Sequence, residues 1–71
     1  MPLDIRIRFG RVIRRLREEQ HITQEEAAER SGLHRTYYSG IERGVRNVSL
    51  VNIDRLAKGL RVSLPKLFEH F

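Results

Sequence analysis

Ser31-Gly32-Leu33 constrains this chain more than any other stretch, because it separates two segments that each read as a short helix. Glycine takes a positive φ without strain, and Gly32 offers that freedom inside a turn too short for anything but a sharp reversal. The segment before the turn opens at Thr23, an N-cap residue type. Glu26 stands at the capping-box spacing, so Thr23 can accept the Glu26 amide while the Glu26 side chain reaches back. Ile22 ahead of the cap and Ala27 beyond it are placed for a hydrophobic staple. A helix is therefore expected from Gln24 to about Arg30, and Ala27-Ala28 gives it a nearly bare side where another helix can come close. After the turn a second helix is expected from about His34 to Arg43, with Leu33, Tyr38 and Ile41 facing inward at helical spacing. Arg35, Thr36, Tyr37 and Ser39 are left on the outer side. Tyr37 and Tyr38 are about 100° apart on a helix and cannot both be buried. Placing Tyr38 inward rests on its spacing from Leu33 and Ile41; the reverse assignment would change which side chains face out.

The chain of 71 residues allows one domain, residues 1–71. A chain this short buries only about 60% of its unfolded surface, so it needs help to be stable. No cysteine is present, which removes disulfides and thiolate clusters. A second copy of the same chain is the remaining common helper. Absence of cysteine fits a cytoplasmic location. No apolar run approaches the ~20 residues of a membrane span, and MPLDIRIRFG lacks the apolar region of a signal peptide. No membrane partner is expected.

Net charge is +5, and residues 1–17 carry six Arg against one Asp, which accounts for the excess. A polyanionic partner follows, because neutralising phosphates supplies most sequence-independent affinity for nucleic acid. Residues 4–20 read as a first helix with an apolar stripe of Ile5, Phe9, Val12, Ile13 and Leu16. Its Arg8, Arg11, Arg14 and Arg15 either form a plain solvated face or lend one or two contacts to phosphates.

Beyond Arg43, Gly44 closes the second helix of the pair, and Ser49 caps a fourth helix whose apolar stripe is Leu50, Ile53, Leu56, Ala57 and Leu60. Ser63 caps a last short helix with Pro65 inside its first turn, where no N–H is needed. The end of the chain holds more apolar surface than one small core can use. Leu60, Val62, Leu64, Leu67, Phe68 and Phe71 are therefore expected to share a self-complementary homodimer interface. His21, His34 and His70 stand at no ligand spacing, so no metal is expected. No nucleophile–base arrangement is recognisable; no catalytic residue, cofactor or enzymatic activity is expected.

The pattern T-Q-E-E-A-A-x-x-S-G-L-x-R-x-Y-Y-x-x-I-E-R-G resembles the Cro/repressor-type helix-turn-helix regulators of bacteria and phages, and the likeness runs from about Arg17 to Phe68. More narrowly, Arg35-Thr36-Tyr37, Ser39-Gly40-Ile41-Glu42-Arg43 and Arg46-Asn47-Val48-Ser49 resemble the controller proteins of restriction–modification systems. The resemblance implies an all-α, compact five-helix bundle of the phage-repressor type. It also implies a homodimer that regulates transcription by binding pseudo-palindromic double-stranded DNA.

Several site residues follow from that resemblance. Arg35, Thr36 and Tyr37, at the start of the recognition helix, would reach base edges in the major groove, with the Arg35 fork suited to guanine O6 and N7. Gln24, Ser39 and Arg43 would serve the DNA backbone, Gln24 through its amide and the N-terminus of its helix. In the resembling controllers the loop after Gly44 lies beside DNA, which makes Arg46 and Asn47 phosphate contacts; a plain surface loop is the alternative. Arg17 and Glu42 take the places of a structural ion pair in the family. His21 and Arg61 stand where the family has glycine, so both are expected at positive φ. Glu25 and Glu29 face solvent, either for solubility or as a contact for RNA polymerase. Gly40 would give clearance for DNA or for a neighbouring side chain. An antitoxin-like protein with autoregulatory DNA binding is the alternative within this fold, although no extra segment is present to hold a protein partner.

Overall fold

Each helix starts at a side chain that can accept a hydrogen bond. The computed structural model describes residues 4–69 and 71. They form α1 (Ile5–Glu19), α2 (Gln24–Ser31), α3 (Arg35–Glu42), α4 (Leu50–Gly59) and α5 (Leu64–Phe68), with no strand among the described residues. Asp4 Oδ1 accepts from the Arg6 amide at 2.8 Å and sets the start of α1. Thr23, Ser49 and Ser63 accept from Glu26, Asn52 and Lys66 at 3.1 Å each. His34 lies outside α3 as its N-cap, its Nδ1 accepting from the Thr36 amide at 3.2 Å. The capping box at Thr23 is one-sided, because Glu26 Oε2 is bound by Arg30 Nη2 at 2.7 Å. His70 lies outside the described residues.

Three helices end in the same way. At Gly32, Gly44 and Arg61 the chain turns through positive φ (67°, 77° and 59°). The next residue then returns its amide to a carbonyl five positions back: Leu33 to Ala28, Val45 to Gly40 and Val62 to Ala57. Arg61 thus does a glycine's work, as does His21 (φ 57°) between α1 and α2. Left-handed conformation costs an L-residue roughly 1–2 kcal/mol.

The core gathers Phe9, Val12, Ile13 and Leu16 of α1 with Ala27, Ala28, Tyr38, Ile41, Leu56, Ala57, Leu60 and Leu67. Two expected stripe residues are outside it: Ile5 and Leu50 are exposed, Leu50 at 80%. Both are the first residue of their helix and keep most of their surface exposed. Bare backbones make the closest crossings. A Cβ at Gly10 would strike the carbonyl oxygens of Ile41 and Glu42, and one at Gly59 would strike Ser31. Together with the small Ala27 and Ala28, these contacts seat α3 against α1 and α4 against α2. The outer edge of α3 is left uncovered.

Candidate nucleic-acid interface

Tyr38 and Ile41 are fully buried, and this fixes how α3 is rotated. Arg35, Thr36, Ser39 and Arg43 consequently share one outer edge. They line an open cleft of about 620 Å³ with Arg17, Thr23, Gln24 and Glu25 from the α1–α2 side. Three guanidinium groups border the cleft against one carboxylate, Glu25, which lies 3.6 Å from Arg35 Nη1. Both members of that pair are solvent-exposed, so it is weak. Glu29 is exposed on the same helix.

The floor of the cleft is an ion-pair network. Arg17 Nε donates to Glu42 Oε2 at 2.7 Å and Arg17 Nη2 to Glu42 Oε1 at 3.2 Å. Gln24 Nε2 donates to Glu42 Oε1 at 2.9 Å, and Arg17 Nη1 to the Ile22 carbonyl at 2.9 Å. Side-chain exposure is 13% for Arg17 and 2% for Glu42, so the charges are held in a low-dielectric setting. Burial pushes the Glu42 carboxyl up, but the donors of Arg17 and Gln24 and the adjacent Tyr38 hydroxyl outweigh it and hold it below its ordinary value. The Arg17 guanidinium is raised in return, chiefly by its bonds to Glu42. The Tyr38 hydroxyl faces the carboxylate without reaching hydrogen-bond geometry. It therefore acts as an electrostatic neighbour, and burial raises its phenol. One network thus ties α1, the start of α2 and the end of α3 together.

Gln24 does not offer its side-chain amide outward, because that group is spent on Glu42. What remains for an anion is the backbone N–H at the N-terminus of α2, where helix geometry leaves the first amides without partners.

The other edge of α3 carries a second group. Tyr37 is half-buried, its hydroxyl accepting from Asn52 Nδ2 at 3.2 Å. The Arg46 guanidinium lies over its ring, 5.5 Å from the centroid. Arg46 and Asn47 are exposed. They border not the cleft but a small apolar pocket of about 150 Å³ on the opposite side, with Ile5, Phe9, Ile53, Phe68 and Phe71. The sequence-predicted contacts therefore fall into two sets flanking α3. Asn52, which no sequence signal marked, joins the second set from α4.

The six apolar residues assigned to an interface also divide. Leu60 and Leu67 have no exposed surface; they close the core where α5 folds back on the end of α4, and are unavailable to a partner. Val62 is half-buried, and Leu64, Phe68 and Phe71 are exposed. Phe68 and Phe71 cluster with Phe9, their own rings 5.3 Å apart. Leu50 and Val51 add exposed apolar surface at the start of α4 that was not assigned to the interface.

A helix-turn-helix family profile matches residues 13–67. The chain belongs to that family. It is 50% identical to the control protein C.MunI of Mycoplasma sp over 66 residues, covering 92% of this chain and 89% of that protein. The restriction–modification controller C.AhdI of Aeromonas hydrophila, a solved structure, superposes with a TM-score of 0.85 at 48% identity, over 89% of this chain and 96% of that one. The controller C.Esp1396I, solved as a tetramer with its natural 35 base-pair operator, superposes with a TM-score of 0.89 at 40% identity, over 96% of this chain and 90% of that one. Such agreement along nearly the whole length makes the five-helix architecture that of helix-turn-helix controllers.

Proposed function

We propose that this protein is a sequence-specific double-stranded DNA-binding regulator of transcription, of the restriction–modification controller type, that acts as a homodimer on a pseudo-palindromic operator. One observation carries the reading: α3 buries Tyr38 and Ile41 completely while Arg35, Thr36, Ser39 and Arg43 line its open edge. Entering a major groove, that edge offers Arg35 and Thr36 to base edges, and Tyr37 offers the hydroxyl hydrogen that its bond from Asn52 leaves free. Ser39, Arg43 and the first amides of α2 meet the phosphates on one side, while Arg46 and Asn47 meet those on the other. No helix among the described residues is long and apolar enough to cross a membrane, and a cytoplasmic site of action suits a regulator of this kind. The regulatory role is one of binding rather than catalysis.

Dimerisation uses the exposed apolar residues of α4 and the α5 end: Leu50, Val51, Leu64, Phe68 and Phe71, with Val62 at the margin. Glu29, exposed on α2, is the acidic position offered to RNA polymerase. Selection of bound sites from random duplex DNA, with the stoichiometry of the complex, tests the whole reading. The expected result is a pseudo-palindrome bound by two chains, with half-sites one helical turn, roughly 34 Å, apart. Two such sites filled cooperatively by four chains would support the controller assignment. Salt-sensitive binding without enrichment of any sequence would overturn the reader.

A further inference from the structure

We propose that Gly40, Tyr37 and Asn52 are positioning residues that preset the Arg46 side chain for a phosphate; the proposal rests on the reading of Arg46 as a backbone contact. Gly40 lies inside α3, where glycine is the poorest helix former apart from proline. Its φ is not positive, so conformational need does not explain it. Space does. A Cβ at Gly40 would come within 2.9 Å of Arg46 Cγ and 3.1 Å of Arg46 Nε, against 3.4 Å, an ordinary contact, for Val45 Cγ2. The bare Cα is a groove in which the Arg46 stem lies. The stem emerges over Tyr37, whose ring carries the guanidinium at 5.5 Å and whose hydroxyl Asn52 holds from behind at 3.2 Å. At its root the loop is tied to the same helix, Val45 N donating to Gly40 O at 3.0 Å.

Arg46 also differs from Arg17 and Arg35 of the interface. Arg17 is spent on Glu42 and Arg35 has Glu25 nearby, whereas no carboxylate among the described residues pairs with Arg46. A long side chain in a loop would ordinarily lose rotamer freedom on binding. Here the groove, the ring and the amide behind it have already restricted the stem, and the charge is left open to an anion.

A methyl group at Gly40 meets the middle of a flexible side chain rather than backbone, so Gly40→Ala is tolerated by the fold but evicts Arg46. Thermal unfolding of Gly40→Ala should therefore occur at or above the wild-type temperature. Its affinity for a duplex of random sequence should fall about two- to tenfold, the usual weight of one side chain's ordering. Its salt dependence should move toward that of Arg46→Ala, which loses about 0.9 from the log–log slope for one phosphate. Asn52→Ala should shift binding in the same direction, by a smaller factor. The double variant Gly40→Ala/Arg46→Ala should bind like Arg46→Ala alone.

Equal losses from Gly40→Ala with and without Arg46 would assign the glycine to direct DNA clearance and overturn the proposal. So would unchanged binding by Gly40→Ala while Arg46→Ala is weakened. If Arg46→Ala itself binds random duplex as the wild type does, the phosphate reading of the loop fails first, and the positioning role falls with it.

Discussion

Glu42→Gln removes the charge on which the whole reading face rests. The carboxylate accepts three hydrogen bonds, two from Arg17 and one from Gln24, at 2.7, 3.2 and 2.9 Å. A carboxamide keeps one acceptor and turns an N–H toward the guanidinium, so Arg17 is left as a largely buried cation without a counter-ion. Breaking a buried pair from one side costs about 3–5 kcal/mol. Arg17 retains 13% side-chain exposure and its bond to the Ile22 carbonyl, which argues for the lower end, about 3 kcal/mol. A domain of this size has a total stability of roughly 4–10 kcal/mol, so about 30% or more would disappear. Urea unfolding followed by far-UV circular dichroism should show a lower midpoint at unchanged slope. Thermal unfolding should fall by about 12–24 °C, at 4–8 °C per kcal/mol.

The same substitution has a pH signature. Glu42 titrates below its ordinary value, so its contribution is complete above about 4.5 and is lost as the pH drops through the lower folded-state value. Wild type should shed that contribution on acidification, while Glu42→Gln lacks this part of the acid limb. A loss under 1 kcal/mol at neutral pH, with the acid limb intact, would refute the view that this pair anchors α3.

Arg35→Ala should cost about 1–3 kcal/mol on the selected operator and relax preference at one base pair; an equal loss on random DNA would make it a phosphate contact. Gly10→Ala should destabilise by about 1–3 kcal/mol in urea unfolding, because the methyl group meets the Ile41 and Glu42 carbonyls of α3, which cannot step aside. Arg61→Gly should gain about 1 kcal/mol by relieving left-handed strain at φ 59°, and an unchanged melt would show that unfolded-chain entropy cancels the gain. Leu50→Glu, at a residue that touches no core, should leave the monomer folded and shift the sedimentation equilibrium from dimer toward monomer; an undisturbed dimer would exclude that end of α4 from the interface.

What could be read from the sequence is what one short segment decides for itself. The caps at Thr23, Ser49 and Ser63 and the turns at Gly32 and Gly44 are local chemistry, and the spacing of Leu33, Tyr38 and Ile41 sufficed to turn Tyr38 inward. The errors sit where a second segment decides. Leu50 and Ile5 have the apolar character of their stripes but begin their helices and stay mostly exposed. Leu60 and Leu67 have the character of an interface but are consumed where α5 folds onto α4. Spacing along one helix cannot separate these cases, because apolar residues look alike until the neighbour's position is known.

The same limit explains Gly40 and Asn52. One is an apparent defect in a helix and the other an ordinary polar residue on a half-buried face. What they touch, Arg46 for Gly40 and Tyr37 for Asn52, comes from a loop or a helix elsewhere in the fold. The outward placement of Arg35 and Thr36, by contrast, follows from the helix that bears them. Arg46 packs against a helix and a loop at once, so, on the proposed positioning role, a substitution at Gly40 should weaken binding through it.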